Sequence, residues 1–193
     1  MIKSITLVIG LAFLSIGYGC SPVGVLASGG ATTMVVAEGD KSLGTIVDDA
    51  TIKLKISKNF LSSENNLFID IDKSVIEGIV LLTGIVENQE IRIEAVRIVW
   101  KIEGVKEVIN EIEIGDKTTI KEYANDIWIT TQIKALAARD IGLRFISYNI
   151  ETIRGKVYLA GITSRPDHLD TLVNITKSVK GVKDVVNYVI IKE

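Results

Sequence analysis

The sequence is short of the residues on which most metal sites and disulfide-bonded folds depend. The chain of 193 residues contains one cysteine, Cys20, one histidine, His168, and two prolines. A single cysteine excludes an intrachain disulfide, so the folded parts depend on their hydrophobic cores. His168 lies beside Asp167 and close to Asp170, which is typical of a solvated surface group. We therefore expect neither a metal site nor a cofactor.

Catalytic patterns are also missing. The glycines are accounted for by turns and helix ends, and none forms a phosphate-binding loop; they lie at positions 78, 84, 104, 155, 161 and 181. The acidic residues of one segment are predicted to form a solvated face and an edge strand rather than a catalytic pair; they are Glu103, Glu107, Glu111 and Glu113. The sequence therefore predicts a protein that is not an enzyme.

The first 44 residues have the layout of an export signal followed by a tether. Lys3 precedes an apolar run from Ile5 to Gly19, which is shorter than the roughly 20 residues that a membrane-spanning helix needs. Cys20 follows this run directly, as in the bacterial lipoprotein signals that it resembles, although Gly17 and Tyr18 depart from the usual motif. We predict a signal peptide at residues 1–19, then a lipidated Cys20 and a flexible tether at 20–44. An ordinary cleavage site with a chance cysteine, or a short uncleaved anchor, are the alternatives.

The rest of the chain is one unit repeated at an offset of 77 positions. Asp49 corresponds to Asp126 without any gap, and the same offset relates many other pairs, among them Ile52 and Ile129, Gly78 and Gly155, Gly84 and Gly161, and Gly104 and Gly181. A constant offset over a whole unit indicates two copies of one small domain. We place the first domain at residues 45–115 and the second at 116–193.

Hydrophobic periodicity gives each copy the order αββαβ. In the second copy a helix carries Ile129, Ile133 and Leu136 on one face. A hairpin follows, from Phe145 to Gly161 with a turn at Arg154-Gly155, and then a second helix capped by Ser164 and a strand from 182 to 191. The prediction is an α+β protein whose two domains each contain a three-stranded sheet packed by two helices.

These features resemble the BON domain family. The resemblance rests on the element order, the hairpin glycine, Leu-x-Gly at the end of the second strand and the late Gly-Val-x-x-Val, and the stretch 125–131 is similar to the second domain of dual-BON outer-membrane lipoproteins. It implies a non-enzymatic protein that binds phospholipid membranes and supports the integrity of the envelope. It also implies a lipid-anchored protein of the outer membrane that faces the periplasm. Nucleic acid is not expected as a partner, because the chain is slightly acidic and the export signal removes it from the compartment where nucleic acid lies.

The first helix of the second copy is the candidate site. At about 100° per residue, its outward side is apolar, with Ile127, Thr131 and Ala135 in line and Trp128 at the edge. Lys134 borders this stripe on one side and Arg139 on the other. A cationic border around an apolar stripe with tryptophan is typical of a helix that lies in a membrane interface. We predict that these six residues bind anionic phospholipid.

The first copy differs at these positions and in charge. Thr51 takes the place of Trp128, and Lys58 interrupts the stripe where the second copy has Ala135. Residues 45–115 carry eight Lys and Arg against thirteen Asp and Glu, a net charge of −5, whereas residues 116–193 carry twelve against nine, a net charge of +3. An anionic lipid surface should therefore attract the second domain and repel the first.

A second interpretation stays open. The protein could be a periplasmic scaffold that binds an outer-membrane assembly protein or a cell-wall component, with the Trp128 face buried against the first domain or against a protein partner, since an exposed apolar patch fits any partner. Trp100, on the second helix of the first copy, is expected to serve packing or a contact between domains.

Overall fold

The computed structural model describes residues 43–65 and 67–192, so the predicted signal peptide, Cys20 and nearly all of the tether lie outside the described part. The first copy contains the helix α1 (Leu43–Leu61), the helical turn α2 (Leu67–Asp70), the strands β1 (Ile71–Ile76) and β2 (Ile79–Val86), the helix α3 (Gln89–Trp100) and the strand β3 (Glu107–Ile114). The second copy contains α4 (Ile120–Ile141), a 3-10 helix (Gly142–Ser147), β4 (Tyr148–Ile153), β5 (Lys156–Thr163), α5 (Pro166–Ser178) and β6 (Asp184–Ile191).

Each copy has a three-stranded mixed sheet. The orders are β1-β2-β3 and β4-β5-β6, with the first pair antiparallel and the second pair parallel in each sheet. The parallel pair requires a crossover connection, which α3 and α5 provide. The α+β fold with two αββαβ units is therefore confirmed.

The hairpin turns have the same left-handed backbone in both copies. Glu77 and Gly78 have φ of 53° and 82°, and Arg154 and Gly155 have φ of 50° and 83°. Two successive residues with positive φ are the mark of a type I′ turn, whose twist matches the flanking strands. A Cβ on Gly78 would also lie 2.6 Å from the carbonyl oxygen of Gly104, so glycine is required there for space as well.

A buried aspartate on the first helix of each copy holds this turn in place. The backbone N–H groups of Glu77 and Gly78 each donate to Asp49 over 2.9 Å. The N–H groups of Arg154 and Gly155 donate to Asp126 over 2.7 and 2.9 Å. The repeat of aspartate at the 77-residue offset is thereby explained, because each carboxylate satisfies two donors that the tight turn leaves without strand partners.

One hydrophobic core lies between the helices and the sheet of each copy. Ile52, Ile56 and Phe60 of α1 are buried in the first core. Ile129 and Ile133 of α4 are buried in the second. These residues occupy the helix faces that the periodicity predicted.

A further core joins the two sheets, which the sequence analysis did not anticipate. Both central strands are buried on both faces: Val157 and Leu159 of β5 point to the helices, whereas Tyr158, Ala160 and Ile162 belong to a cluster shared with Ile76 and Leu81 of the first copy. The protein is thus a four-layer arrangement in which the sheets pack on each other and the helices lie outside.

Polar contacts cross the same interface. The Nζ of Lys156 lies 3.3 Å from Glu111 and 3.8 Å from Glu113, and the hydroxyl of Tyr188 donates to Glu111 over 2.6 Å. This hydrogen bond raises the pKa of Tyr188 to about 12. The predicted edge strand is confirmed as β3, but Glu111 is not on a solvated face, because the second domain partly covers it, whereas the side chain of Glu113 stays 43% exposed.

Three details of the predicted elements were also wrong. The segments at Leu67 and Phe145 are helical turns rather than strand, since Leu67 is buried while both Phe68 and Ile69 face outward, which a strand does not permit. The N-cap residue of α5 is Arg165 rather than Ser164. α1 begins at Leu43, so Leu43 and Gly44 belong to a helix rather than to the tether.

Candidate functional site

The candidate site is the outward face of α4, and a capping box fixes where this helix begins. The hydroxyl of Thr119 accepts from the N–H of Glu122 over 3.2 Å, and the Glu122 carboxylate accepts from the N–H of Thr119 over 2.8 Å. This reciprocal pair satisfies two donors of the first turn. The backbone hydrogen bond from Thr119 also lowers the pKa of Glu122. The helix therefore starts at Ile120, several residues before the periodic segment that revealed it.

The apolar stripe predicted on α4 is open to solvent. Ile127 is 50% exposed and Trp128 is 47% exposed, while Ile129 and Ile133 on the other side of the helix are completely buried. Thr131 and Ala135 are exposed on the same outward side. The predicted stripe residues thus share one accessible surface.

Two large side chains that the sequence analysis missed extend this stripe. Ile120 is 90% exposed and Tyr123 is 62% exposed, and both lie in the first turns of α4. At 100° per residue, Ile120 falls beside Ile127, and Tyr123 falls beside Lys134. The signal was visible as Thr119-x-x-Glu122, which places the helix start early enough to include them. We call the set Ile120, Tyr123, Ile127, Trp128, Thr131 and Ala135 the α4 surface.

The basic residues at the border of the α4 surface differ in whether they form an ion pair. Arg139 forms a two-pronged ion pair with its neighbour Asp140, with distances of 2.5 and 3.0 Å. This pairing lowers the pKa of Asp140 and raises that of Arg139. Lys134 and Lys121 are exposed and have no ion pair within 4.0 Å in the described part of the chain. Lys134 is therefore the stronger candidate for an anionic ligand, and Arg139 is partly neutralised.

A cleft adjoins the α4 surface beside Lys134. It has a volume of about 380 Å³, and its walls include Tyr123 and Ile127 of α4, Asp72 of β1 and Glu151 of β4. Burial raises the pKa of Glu151, and Asp72 raises it further, whereas Lys134 lowers it. Residues of both domains thus meet at this edge of the paired sheets.

Neither tryptophan takes part in the contact between the domains. The cluster between the sheets is built from strand residues, and Trp128 is outside it. Trp100 is 52% exposed on α3 and also lies outside the cluster, so the structure does not support the expectation of an inter-domain contact at this residue. The first domain does not bury the Trp128 face, which removes that form of the alternative interpretation.

Comparison with known families identifies the repeated unit. The profile of the BON domain family matches residues 48–116 and residues 125–193 of the chain. The chain belongs to the BON domain family. The two matched segments coincide with the two αββαβ copies, so the four-layer arrangement is a pair of BON domains packed sheet to sheet.

Three relatives are similar to this chain over three quarters or more of its length. A protein of Anaplasma centrale described as an uncharacterized protein in the gshII 5' region is 42% identical over 76% of this chain and 96% of its own length. The outer membrane lipoprotein DolP of Haemophilus influenzae is 28% identical, over 87% of this chain and 86% of its own. The osmotically-inducible protein Y of Escherichia coli is 31% identical, over 75% and 73% respectively.

Elsewhere in the two BON domains, little points to catalysis or metal binding. The Nε2 of His168 lies 3.9 Å from Asp167, whose carboxylate is held mainly by Arg165, an arrangement that lowers the pKa of Asp167 to about 2. Within residues 43–65 and 67–192 no group of three or more His, Cys, Asp or Glu side chains is placed to hold a metal ion. None of the helices described here has both the length and the apolar character needed to cross a bilayer.

Proposed function

We propose that this protein is a non-enzymatic lipoprotein of the cell envelope whose second BON domain binds anionic phospholipid. In this proposal acyl chains on Cys20 anchor it to the outer membrane, it faces the periplasm, and it helps to maintain the integrity of that membrane. The family and the similarity to a relative named as an outer membrane lipoprotein support the location. Cys20 lies outside the described residues, so the anchor rests on the sequence motif.

One observation carries the lipid contact: Trp128 and Ile127 stand exposed on α4 beside an unpaired Lys134. Tryptophan prefers the headgroup region of a bilayer, because its ring is apolar and its N–H can still reach water or a carbonyl. A helix that presents such a ring lies in the plane of the interface with its apolar side toward the acyl chains. Ile120 and Tyr123 lengthen the side that would be immersed.

The charge of the second domain supports the choice of anionic lipid. Residues 116–193 carry a net charge of +3, and Lys121 and Lys134 lie on either side of the α4 surface. A lysine close to an anionic membrane contributes about 1 kcal/mol of attraction, which salt screens. The paired Arg139 should contribute less than these two lysines, since Asp140 already occupies its guanidinium.

Vesicle flotation tests the proposal. The protein should comprise residues 21–193, which removes the anchor but keeps the hydrophobic clusters of both domains and of the interface between them. We expect it to float with vesicles that contain phosphatidylglycerol and to stay in the dense fraction with phosphatidylcholine alone. Trp128→Glu should abolish flotation. Trp100→Glu is the matched control, because Trp100 is an exposed tryptophan on a helix outside the α4 surface.

Two results would contradict the proposal. Equal flotation of the Trp128→Glu variant and the wild type would show that the α4 surface does not bind lipid. Failure of the wild type to float with either vesicle would favour the scaffold interpretation, in which the α4 surface binds an outer-membrane assembly protein or a cell-wall component. Circular dichroism of every variant must first show the same helix content.

The anchor has a test of its own. Mass spectrometry of the protein purified from its native membrane should find Cys20 as the first residue, with acyl chains attached. An unmodified first residue further along the chain would remove the anchor and leave the α4 surface as the proposed contact with the membrane.

A further inference from the structure

The first BON domain also carries an exposed apolar stripe on its first helix. Leu54 is 71% exposed and Leu61 is 72% exposed. They are seven residues apart on α1, which places them on the same side of the helix, opposite the buried Ile52, Ile56 and Phe60. These two leucine side chains form an apolar surface that neither domain covers. The interruption of the stripe at Lys58 therefore does not make this helix face polar.

The charged residues of α1 that flank these leucines in sequence are all basic, although Lys55 shares a cleft with Asp48, Glu77 and Glu103. Lys53, Lys55 and Lys58 are exposed on α1, and residues 50–63 contain no aspartate or glutamate. None of the three lysines has an ion pair within 4.0 Å among the residues that the structure describes. By helical geometry Lys58 points outward between the leucines, and Lys53 and Lys55 lie on the two flanks. The net charge of −5 of the first domain hides this locally basic helix.

The other exposed stripe of the first domain lacks this charge pattern. Ile93 and Trp100 are also seven residues apart and exposed on α3. However, α3 carries Glu90 and Glu94 in addition to two arginines, so its charges balance. An anionic surface would gain little from α3. Charge thus distinguishes α1 from α3 where apolar exposure does not.

Lys53 of α1 lies near the cleft beside the α4 surface, although no described residue of α1 lines that cleft. Lys53 of α1 and Lys134 of α4 are both close enough to Glu151 to lower its pKa, and Asp72 of the first domain lines the cleft. One lysine from the first helix of each domain therefore lies near this edge of the paired sheets. A surface that meets this edge has access to basic groups from both domains.

We propose that α1 is a second lipid-contacting helix, in which Leu54 and Leu61 enter the interface of an anionic bilayer and Lys53, Lys55 and Lys58 bind its headgroups. This inference rests on the proposed function of the α4 surface. In this proposal the two exposed leucines matter for membrane affinity even though α1 has no tryptophan.

Flotation with phosphatidylglycerol vesicles separates the two helices. In residues 21–193, Leu54→Ser with Leu61→Ser should weaken the apparent affinity by roughly tenfold, since two leucines lose their apolar transfer while no charge is changed. Ile93→Ser on α3 is the matched control and should leave the affinity unchanged. Because all three residues are exposed, the urea midpoint of each variant should equal that of the wild type.

The outcomes distinguish this inference from the proposed function. If Trp128→Thr weakens binding to phosphatidylglycerol vesicles and the double serine variant does not, the role of α1 is overturned and the α4 surface stays in place. If only the double serine variant weakens vesicle binding, the role of α1 is supported and the proposed role of the α4 surface is overturned. If sedimentation shows a wild-type dimer that the serine variant dissociates, a second copy of the chain covers α1, and the lipid contact is overturned.

A single tryptophan at position 54 gives a direct readout. Leu54→Trp, combined with Trp100→Phe and Trp128→Phe, should be quenched by brominated acyl chains in phosphatidylglycerol vesicles. The Trp128→Phe variant, whose remaining tryptophan is Trp100 on α3, should not be quenched. Quenching of Trp100 equal to that of the tryptophan at position 54 would contradict a contact specific to α1.

Discussion

Each BON domain uses an aspartate on its first helix to hold its hairpin turn, Asp49 in one and Asp126 in the other, but the outward sides of the two helices differ. α4 presents Trp128 and Ile127 between Lys121 and Lys134, two lysines without an ion pair among the described residues, whereas α1 presents two leucines among three such lysines. The shared residues are those that the fold requires, and the divergent ones lie where the fold sets no requirement. Function in a repeated protein is therefore best sought at exposed positions where the copies disagree.

The largest expected effect comes from the hydrophobic cores, which we expect to contribute equally to stability in the two domains. Ile56 and Ile133 occupy corresponding positions and are completely buried. Replacing either by alanine should lower the free energy of unfolding by about 3 kcal/mol, because each leaves a cavity. Urea unfolding followed by fluorescence of Trp100 and of Trp128, each in a variant where the other is phenylalanine, should give one common midpoint. A midpoint that shifts for one tryptophan alone would show that the domains unfold separately.

A substitution in the contact between the two sheets is expected to have the next largest effect on the free energy of unfolding. Glu111→Ala removes the acceptor of Tyr188 and the nearest partner of Lys156, so it should lower the free energy of unfolding by about 2 kcal/mol. Glu107→Ala, at an exposed position of the same strand, is the control and should change it little. If both variants unfold at the wild-type midpoint in urea, the polar contacts of the interface do not stabilise the pair.

Exchanging the residue types at corresponding positions of α4 and α1 tests how the outward sides of the two helices differ in lipid binding. Trp128→Thr gives α4 the residue that α1 has at position 51, and it should weaken binding to phosphatidylglycerol vesicles by about tenfold, or about 1.4 kcal/mol. Thr51→Trp should strengthen binding, because α1 already has a basic border. Surface plasmon resonance on captured vesicles measures both changes. A weakening by Thr51→Trp would indicate that α1 faces away from the bilayer.

The smallest expected effect concerns Glu151 in the cleft. Burial raises its pKa in the folded protein above the unfolded value, so its contribution to stability is present below the unfolded pKa and is lost as the pH rises through the raised pKa. Ionised Glu151 therefore opposes folding at neutral pH. Glu151→Gln should raise the urea midpoint slightly at pH 7, and the gain should vanish near pH 3. A gain that does not depend on pH would rule out ionisation as its cause.

Much of the fold was predictable, because the 77-residue offset and the helical spacing of Ile129 and Ile133 depend on local geometry. The packing of the sheets was not predicted, although the sequence contained a sign of it: Ile79–Val86 is almost continuously apolar, which is typical of a strand buried on both faces. That conclusion was not drawn from the strand. For the same reason, the covering of Glu111 by the second domain was not predicted.

The candidate site was predicted only in part. Ile127 and Trp128 lie on the exposed face as expected, while Ile120 and Tyr123 were missed because the helix was started from its periodic segment rather than from the capping box at Thr119. The pairing of Arg139 with Asp140 depends on side-chain conformation, which a sequence does not specify. The exposed leucines of α1 were overlooked because Lys58 was taken to interrupt the stripe.

Quenching of Trp128 by brominated lipid tests the central proposal most directly. In residues 21–193 with Trp100→Phe, Trp128 is the remaining tryptophan. We predict strong quenching by phosphatidylglycerol vesicles with brominated acyl chains and a shift of its emission to shorter wavelength, with neither effect in phosphatidylcholine vesicles. If Trp128 stays unquenched while the protein still floats with anionic vesicles, the protein binds lipid through another surface and the account of α4 is contradicted.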